Sequence, residues 1–169
     1  MLQAQFFSRR TKYGSTDAIH HEADNETRSV PRRKTVFKAT LSEDIDWKPF
    51  AAFPPLARLA VVAGQPSKPG LYTIRVKVPH GVKLMPHRHS EDRIYTVISG
   101  VFYIGLGDEF DPDKLEAYPP GAVILLPGNT SHFHWAKSGD YMTQVSAIGP
   151  LGMEYVNPKD DPSKQNSNV

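Results

Sequence analysis

The 169-residue chain has no cysteine. That excludes a disulfide framework, thiolate zinc sites and a cysteine nucleophile, so any bound metal must be held by nitrogen and oxygen. Histidine and carboxylate are the ligands left. Long apolar runs are missing as well. None approaches the about 20 residues that a membrane helix needs, and the N-terminus lacks the extended apolar core of a secretory signal. The expectation is a soluble, cytoplasmic protein with no membrane contact. Uninterrupted stretches of any kind are short from Leu41 onward. Pro54-Pro55, Gly64, Pro66, Pro69-Gly70, Pro79 and Gly81 break the chain into pieces too short for typical helices.

Strands fit those pieces. Leu56–Val62, Leu71–Val78, Ile94–Ile98, Val101–Leu106, Ala122–Leu126, His132–Ala136 and Tyr141–Ile148 are rich in β-branched and aromatic residues, and in Tyr72–Val78 every odd position is polar. The pattern predicts an all-β sandwich or barrel over one folded region, residues 41–156, with a single helical turn at Pro112–Leu115. Residues 1–40 hold eight Lys/Arg against four Asp/Glu and the rest of the chain twelve against fourteen, so the basicity belongs to the N-terminus. That segment shows no apolar period and reads as a disordered or loosely attached basic arm. Its run Pro31-Arg32-Arg33-Lys34 is of the solvated kind, and no helix-turn-helix pattern accompanies it, so no nucleic-acid partner is expected. The first sixteen residues carry three basic and no acidic side chains, as transit peptides do, but Asp17, Glu22, Asp24 and Glu26 argue against extending that reading. Residues 157–169 are expected to fray.

Seven histidines remain to be placed. His20 and His21 fall in the arm and His80 in a Pro-His-Gly turn, positions that call for no function. His87 and His89 are two apart, as are His132 and His134, each pair in or beside a strand. Residues i and i+2 of a strand project from one face, so four imidazoles converge if both strands face inward. Neutral imidazole is the commonest protein ligand for transition metals.

These residues carry a family resemblance. Gly81-x5-His87-x-His89 followed by a strand ending at Gly100 resembles the first cupin motif, and Gly121-x5-Pro127-x4-His132 resembles the second, over about residues 55–150. The resemblance implies a jelly-roll β-barrel. It also implies a divalent transition metal (Fe, Mn, Ni or Zn) held by His87, His89 and His132. Where cupins place a metal-binding glutamate this chain has Arg93, which cannot ligate. Glu91 or Asp92 is the alternative carboxylate after a small loop shift, although the usual turn points them elsewhere. Asn129 stands at an expected glycine and Ala136 at an expected asparagine.

Two roles are open to Arg93: a rim cation that orients an anionic substrate, or a surface ion pair with Glu91 or Asp92. His134 is a candidate general base or fourth ligand. The functional expectation is a metal-dependent enzyme of oxygenase, isomerase or lyase type, using Arg93 and His134 on a small, anionic, oxygen-rich molecule. The alternative is a non-enzymatic cupin that binds a small ligand with weak or no metal. A homodimer is expected, with Trp47, Phe50 and Phe53 either covering a partner's sheet edge or plugging their own barrel.

Overall fold

Alternation along the strands builds the structure, a computed structural model that describes residues 37–165. The expected arm falls outside the described residues up to position 36, as do positions 166–169. Ten strands follow one another: β1 (Arg58–Ala63), β2 (Gly70–Val78), β3 (Lys83–Arg88), β4 (Arg93–Ser99), β5 (Phe102–Leu106), β6 (Glu116–Tyr118), β7 (Val123–Leu126), β8 (His132–Trp135), β9 (Tyr141–Gly149) and β10 (Glu154–Tyr155). In β2 the buried residues are Tyr72, Ile74, Val76 and Val78; in β9 they are Tyr141, Thr143, Val145 and Ala147. This is the period-2 signature of a sheet with one face on a core.

The strands form two five-stranded antiparallel sheets, β1-β2-β9-β4-β7 and β10-β3-β8-β5-β6. Tyr72, Ile74, Val97, Phe102 and Val145 pack between them. Among the described residues no strand pairing joins β6 to β7, so the barrel has an open seam on that side. No described helix is long and apolar enough to cross a membrane.

All seven expected strands are present, and the three unexpected ones are the least strand-like in sequence. β3 contains Pro86, which has no N–H for the ladder, and its register against β8 shifts between Leu84 and His87. The strand survives because the Pro86 carbonyl accepts from Val156 N on its other side. β6 and β10 are too short to register as patterns.

Phe50 and Phe53 meet edge to face at 5.0 Å, Phe53 is buried in the core, and Lys77 covers the Trp47 ring at 4.9 Å. Phe53 therefore packs into its own barrel, beside the void that His87 and His134 line, while Trp47 lies against the outer face of β2; the segment folds back through the Lys48–Leu59 bridge. Where fraying is expected after residue 157, residues Pro158–Asp160 form a 3-10 turn capped by Asn157. One turn of helix, α1 (Pro162–Gln165), follows, with Asp161 Oδ1 accepting from Ser163 N.

Candidate metal centre

Two neighbouring strands bring the histidines together. β3 and β8 pair with His87 directly opposite His132, and the two rings lie 4.3 Å apart between centroids. His134, two residues along β8, projects from the same face. Its centroid is 5.1 Å from that of His132 and 5.4 Å from that of His87. The ligand atoms of His87, His132 and His134 all lie within 4.8 Å of one another, close enough to share one ion. His89, just past the end of β3, sits on the flank, 5.0 Å from His87 and 5.2 Å from His132 between ring centroids. All four rings are buried.

Second partners orient them. His87 Nδ1 lies 2.7 Å from Met85 O, His132 Nδ1 2.9 Å from Thr130 O and His89 Nδ1 2.5 Å from Gly152 O. A carbonyl only accepts, so each Nδ1 carries the proton and each Nε2 presents a bare lone pair. The Nε2 atoms of His132 and His134 are buried with no hydrogen-bond partner among the described residues. Such orphaned ring nitrogens are rare, and that of His132, whose proton is held on Nδ1, is a bare acceptor. Burial pushes the pKa of all four imidazoles down, with the Arg93 charge and neighbouring rings adding to it; His132 falls to about 4. All four are neutral at pH 7, the state in which imidazole binds a metal.

Arg93 points inward. It is 3% exposed, so the surface ion pair is ruled out, but the guanidinium is not free either: Nη2 and Nε lie 2.6 and 3.1 Å from Glu91 Oε1. Tyr72 donates to the same oxygen at 2.8 Å, while Gly152 N and Ser90 Oγ donate to Oε2 at 3.2 and 3.1 Å. Burial alone would raise the Glu91 pKa; the Arg93 charge and these donors outweigh it and hold the carboxyl below its usual range. Glu91 is thus committed to Arg93. Asp92 accepts from Gly128 N at 2.7 Å, clamping the turn before β8, so neither acid is available to a metal. Gly152 is the participant the sequence does not reveal: its carbonyl orients His89 and its N–H holds Glu91 across more than 60 positions, with no local motif to mark it.

The void beside the rings is small. A cavity of about 20 Å³, lined by His87, His89, His134, Arg93, Tyr95 and Tyr141 among others, has room for one water-sized species. Outside His89 a polar depression of about 500 Å³, bordered by Arg88, Ser90, Asn129 and Glu154, opens to solvent.

No family model and no curated protein matches the sequence. Solved structures do resemble it. The polyketide cyclase RemF from Streptomyces resistomycificus superposes with a TM-score of 0.62 at 18% identity, over 76% of this chain and 92% of RemF. An RmlC-like cupin protein from Ralstonia eutropha JMP134 gives 0.56 at 20% identity over 73% and 74% of the two chains. The DMSP lyase DddQ from Ruegeria pomeroyi DSS-3 gives 0.57 at 18% identity, over 69% of this chain and 64% of the lyase. The chain has the cupin fold. At these identities the likeness is one of fold, and the named activities belong to those proteins.

Within the cupin barrel the motif residues have physical reasons. Gly100 has φ 70°, and a Cβ there would lie 2.0 Å from Asp140 O. Asn129 takes φ 60°, the left-handed conformation that asparagine tolerates, and its N–H reaches the His89 carbonyl at 2.6 Å. Ala136 is fully buried, leaving no room for asparagine without repacking.

Proposed function

We propose that the protein is a metal-dependent enzyme of the cupin fold, acting on a small, anionic, oxygen-rich molecule by oxygenase, isomerase or lyase chemistry. The observation that carries this reading is the set of three buried, neutral imidazoles with ligand atoms within 4.8 Å, two of whose Nε2 atoms have no other partner. Their nitrogen-only donor set suits Fe, Mn, Ni or Zn. His87, His132 and His134 would hold the ion, with His89 as the flanking donor that the motif favours. When bound, such an ion supplies Lewis-acid polarisation of a substrate oxygen or, as iron, access to oxygen chemistry.

The chain's own residues supply the rest. Backbone carbonyls keep the Nδ1 protons of His87, His89 and His132 in place, so these rings do not rotate out of register. The Arg93–Glu91 pair contributes no net charge, and a cation beside it does not meet an isolated guanidinium. Arg93 Nη1 makes no hydrogen bond among the described residues, which leaves it as the donor for a substrate oxyanion.

A second reading, a ligand-binding cupin without catalysis, is favoured by one observation: no carboxylate reaches the histidines, because Glu91 is held by Arg93. Elemental analysis of protein purified without a histidine tag separates the two. His87→Ala and His132→Ala should each abolish stoichiometric metal while circular dichroism stays that of a folded barrel, since the ion adds stability only by linkage. His89→Ala and His134→Ala then identify the third ligand by which of them loses metal. Full occupancy in both His87→Ala and His132→Ala would sink the metal site.

A further inference from the structure

The open seam holds the largest concavity of those described above. Between β5, β6 and β7 lies a cleft of about 540 Å³, a volume typical of small-molecule sites. Ile104, Leu106, Leu115, Ile124 and Leu126 line it, with Asp113, Lys114 and Glu116 beside Leu115, so its wall is more apolar than polar. Its position relative to the histidines follows from strand register. Leu106 pairs with His132 and Ile104 with His134 across β5 and β8; Leu126 pairs with Arg93 and Ile124 with Tyr95 across β7 and β4. Directly paired residues point to the same face with neighbouring side chains about 5 Å apart. The cleft wall is therefore the next row of side chains beside the site, on both sheets at once. At the upper end Thr130 also supplies the carbonyl that orients His132. Ile104 and Leu126, 6% and 5% exposed, form the floor.

We infer that this cleft holds the apolar body of the substrate while its oxygen-bearing head reaches the histidine cluster past Leu106 and Thr130. The ligand class is a small amphiphile with one oxyanionic or chelating head and a hydrocarbon or ring portion of several carbons. A head-only molecule would need nothing beyond the depression outside His89, where Arg88, Ser90, Asn129 and Glu154 offer polar groups and Met153 is the one large apolar side chain. The apolar lining is continuous with the core, so each methylene seated there leaves water for hydrocarbon surroundings. This inference rests on the metal reading for the head and on the cleft alone for the body, and the two are separable.

The test uses acetate, butyrate, hexanoate and octanoate as probes of fixed head and growing tail. On cobalt-loaded full-length protein, the visible spectrum reports the head and methyl NMR of Ile104, Leu106, Leu115 and Ile124 reports the tail. The expected result is that binding tightens about 2- to 4-fold per added methylene, up to the roughly 4-fold that full burial of a CH2 gives. Methyl shifts should be confined to the cleft, and Leu115→Asp should flatten the series while leaving acetate unchanged. If Leu115→Asp fails to fold, the milder Leu115→Ser serves the same purpose. Equal affinity along the series, or methyl shifts that depend on protein concentration and not on octanoate, would overturn the inference; the latter would mean that a second copy of the chain covers the cleft. If the protein binds no cobalt, the metal reading falls, and the methyl shifts on octanoate addition decide the cleft by themselves.

Discussion

Arg93 is a buried cation whose charge is answered two positions away, and the pair behaves as one group. Arg93→Met alone leaves the Glu91 carboxylate buried with only Tyr72, Ser90 and Gly152 as donors. The expected loss is about 3–5 kcal/mol by urea denaturation, the cost of stranding one partner of a buried ion pair. Adding Glu91→Gln should recover much of that, because a neutral amide still accepts from Tyr72 and needs no counter-charge. A double variant as unstable as the sum of its parts would show that the two residues do not act as a pair. The histidines set the pH response. As pH falls below 6.5 the unfolded chain takes up protons that the buried rings refuse, so stability present above 6.5 is lost on acidification. For His132 the loss runs from 6.5 to about 4 and amounts to about 3 kcal/mol. The other three rings are also held below their usual range by burial and add to the loss, and Glu91, also depressed, adds to it at the acid end. Urea midpoints of metal-free protein at pH 7.5, 6 and 5 should fall steadily. A flat profile would mean that the rings are not buried neutral.

Two backbone positions hold the elements that carry the site. Asn129 ends the turn into β8 at φ 60°, so Asn129→Gly is expected to be neutral within about 0.5 kcal/mol and Asn129→Ala to cost about 1 kcal/mol. Gly100→Ala should cost more, because besides the positive φ its Cβ would run into the Asp140 carbonyl. Chemical denaturation of the three variants checks the order, and an Asn129→Ala protein as stable as wild type would remove the strain argument. Both positions were legible as punctuation, as were the seven strands with β-branched and aromatic runs. β3 was not: Pro86 argued against it locally, while the pairing that makes it a strand comes from β8 and β10, more than 40 residues on. Such long-range pairing overrides propensity wherever both neighbours offer backbone partners.

At the scale of the molecule, the outer face of the β1-β2-β9-β4-β7 sheet is the feature without an intramolecular explanation. Leu71 pairs with Ile148, and Ile94 with Leu125, all four exposed and on one face. A homodimer is expected to cover them, in place of a seam through Trp47, Phe50 and Phe53. Ile148→Lys with Leu125→Lys should then shift sedimentation from dimer to monomer at micromolar concentration. A wild-type chain already monomeric there would leave this face without a partner of its own kind.

The sequence by itself determined the all-β class, the inward alternation of β2 and β9, the left-handed turn at Asn129 and the pairing of histidines on single strand faces, because each depends on neighbours within a few positions. Only the tertiary structure decided what Arg93 meets and which histidines bring their ligand atoms within 4.8 Å of one another. Arg93 is matched by Glu91 inside the barrel, where Tyr72 and Gly152 fix the carboxylate, and these partners come from other strands and loops. His134 joins the compact set because β8 lies directly against β3, whereas His89 stands past the strand end. Spacing along the chain specifies which face a side chain takes; what it meets there depends on charges and carbonyls brought in from distant segments.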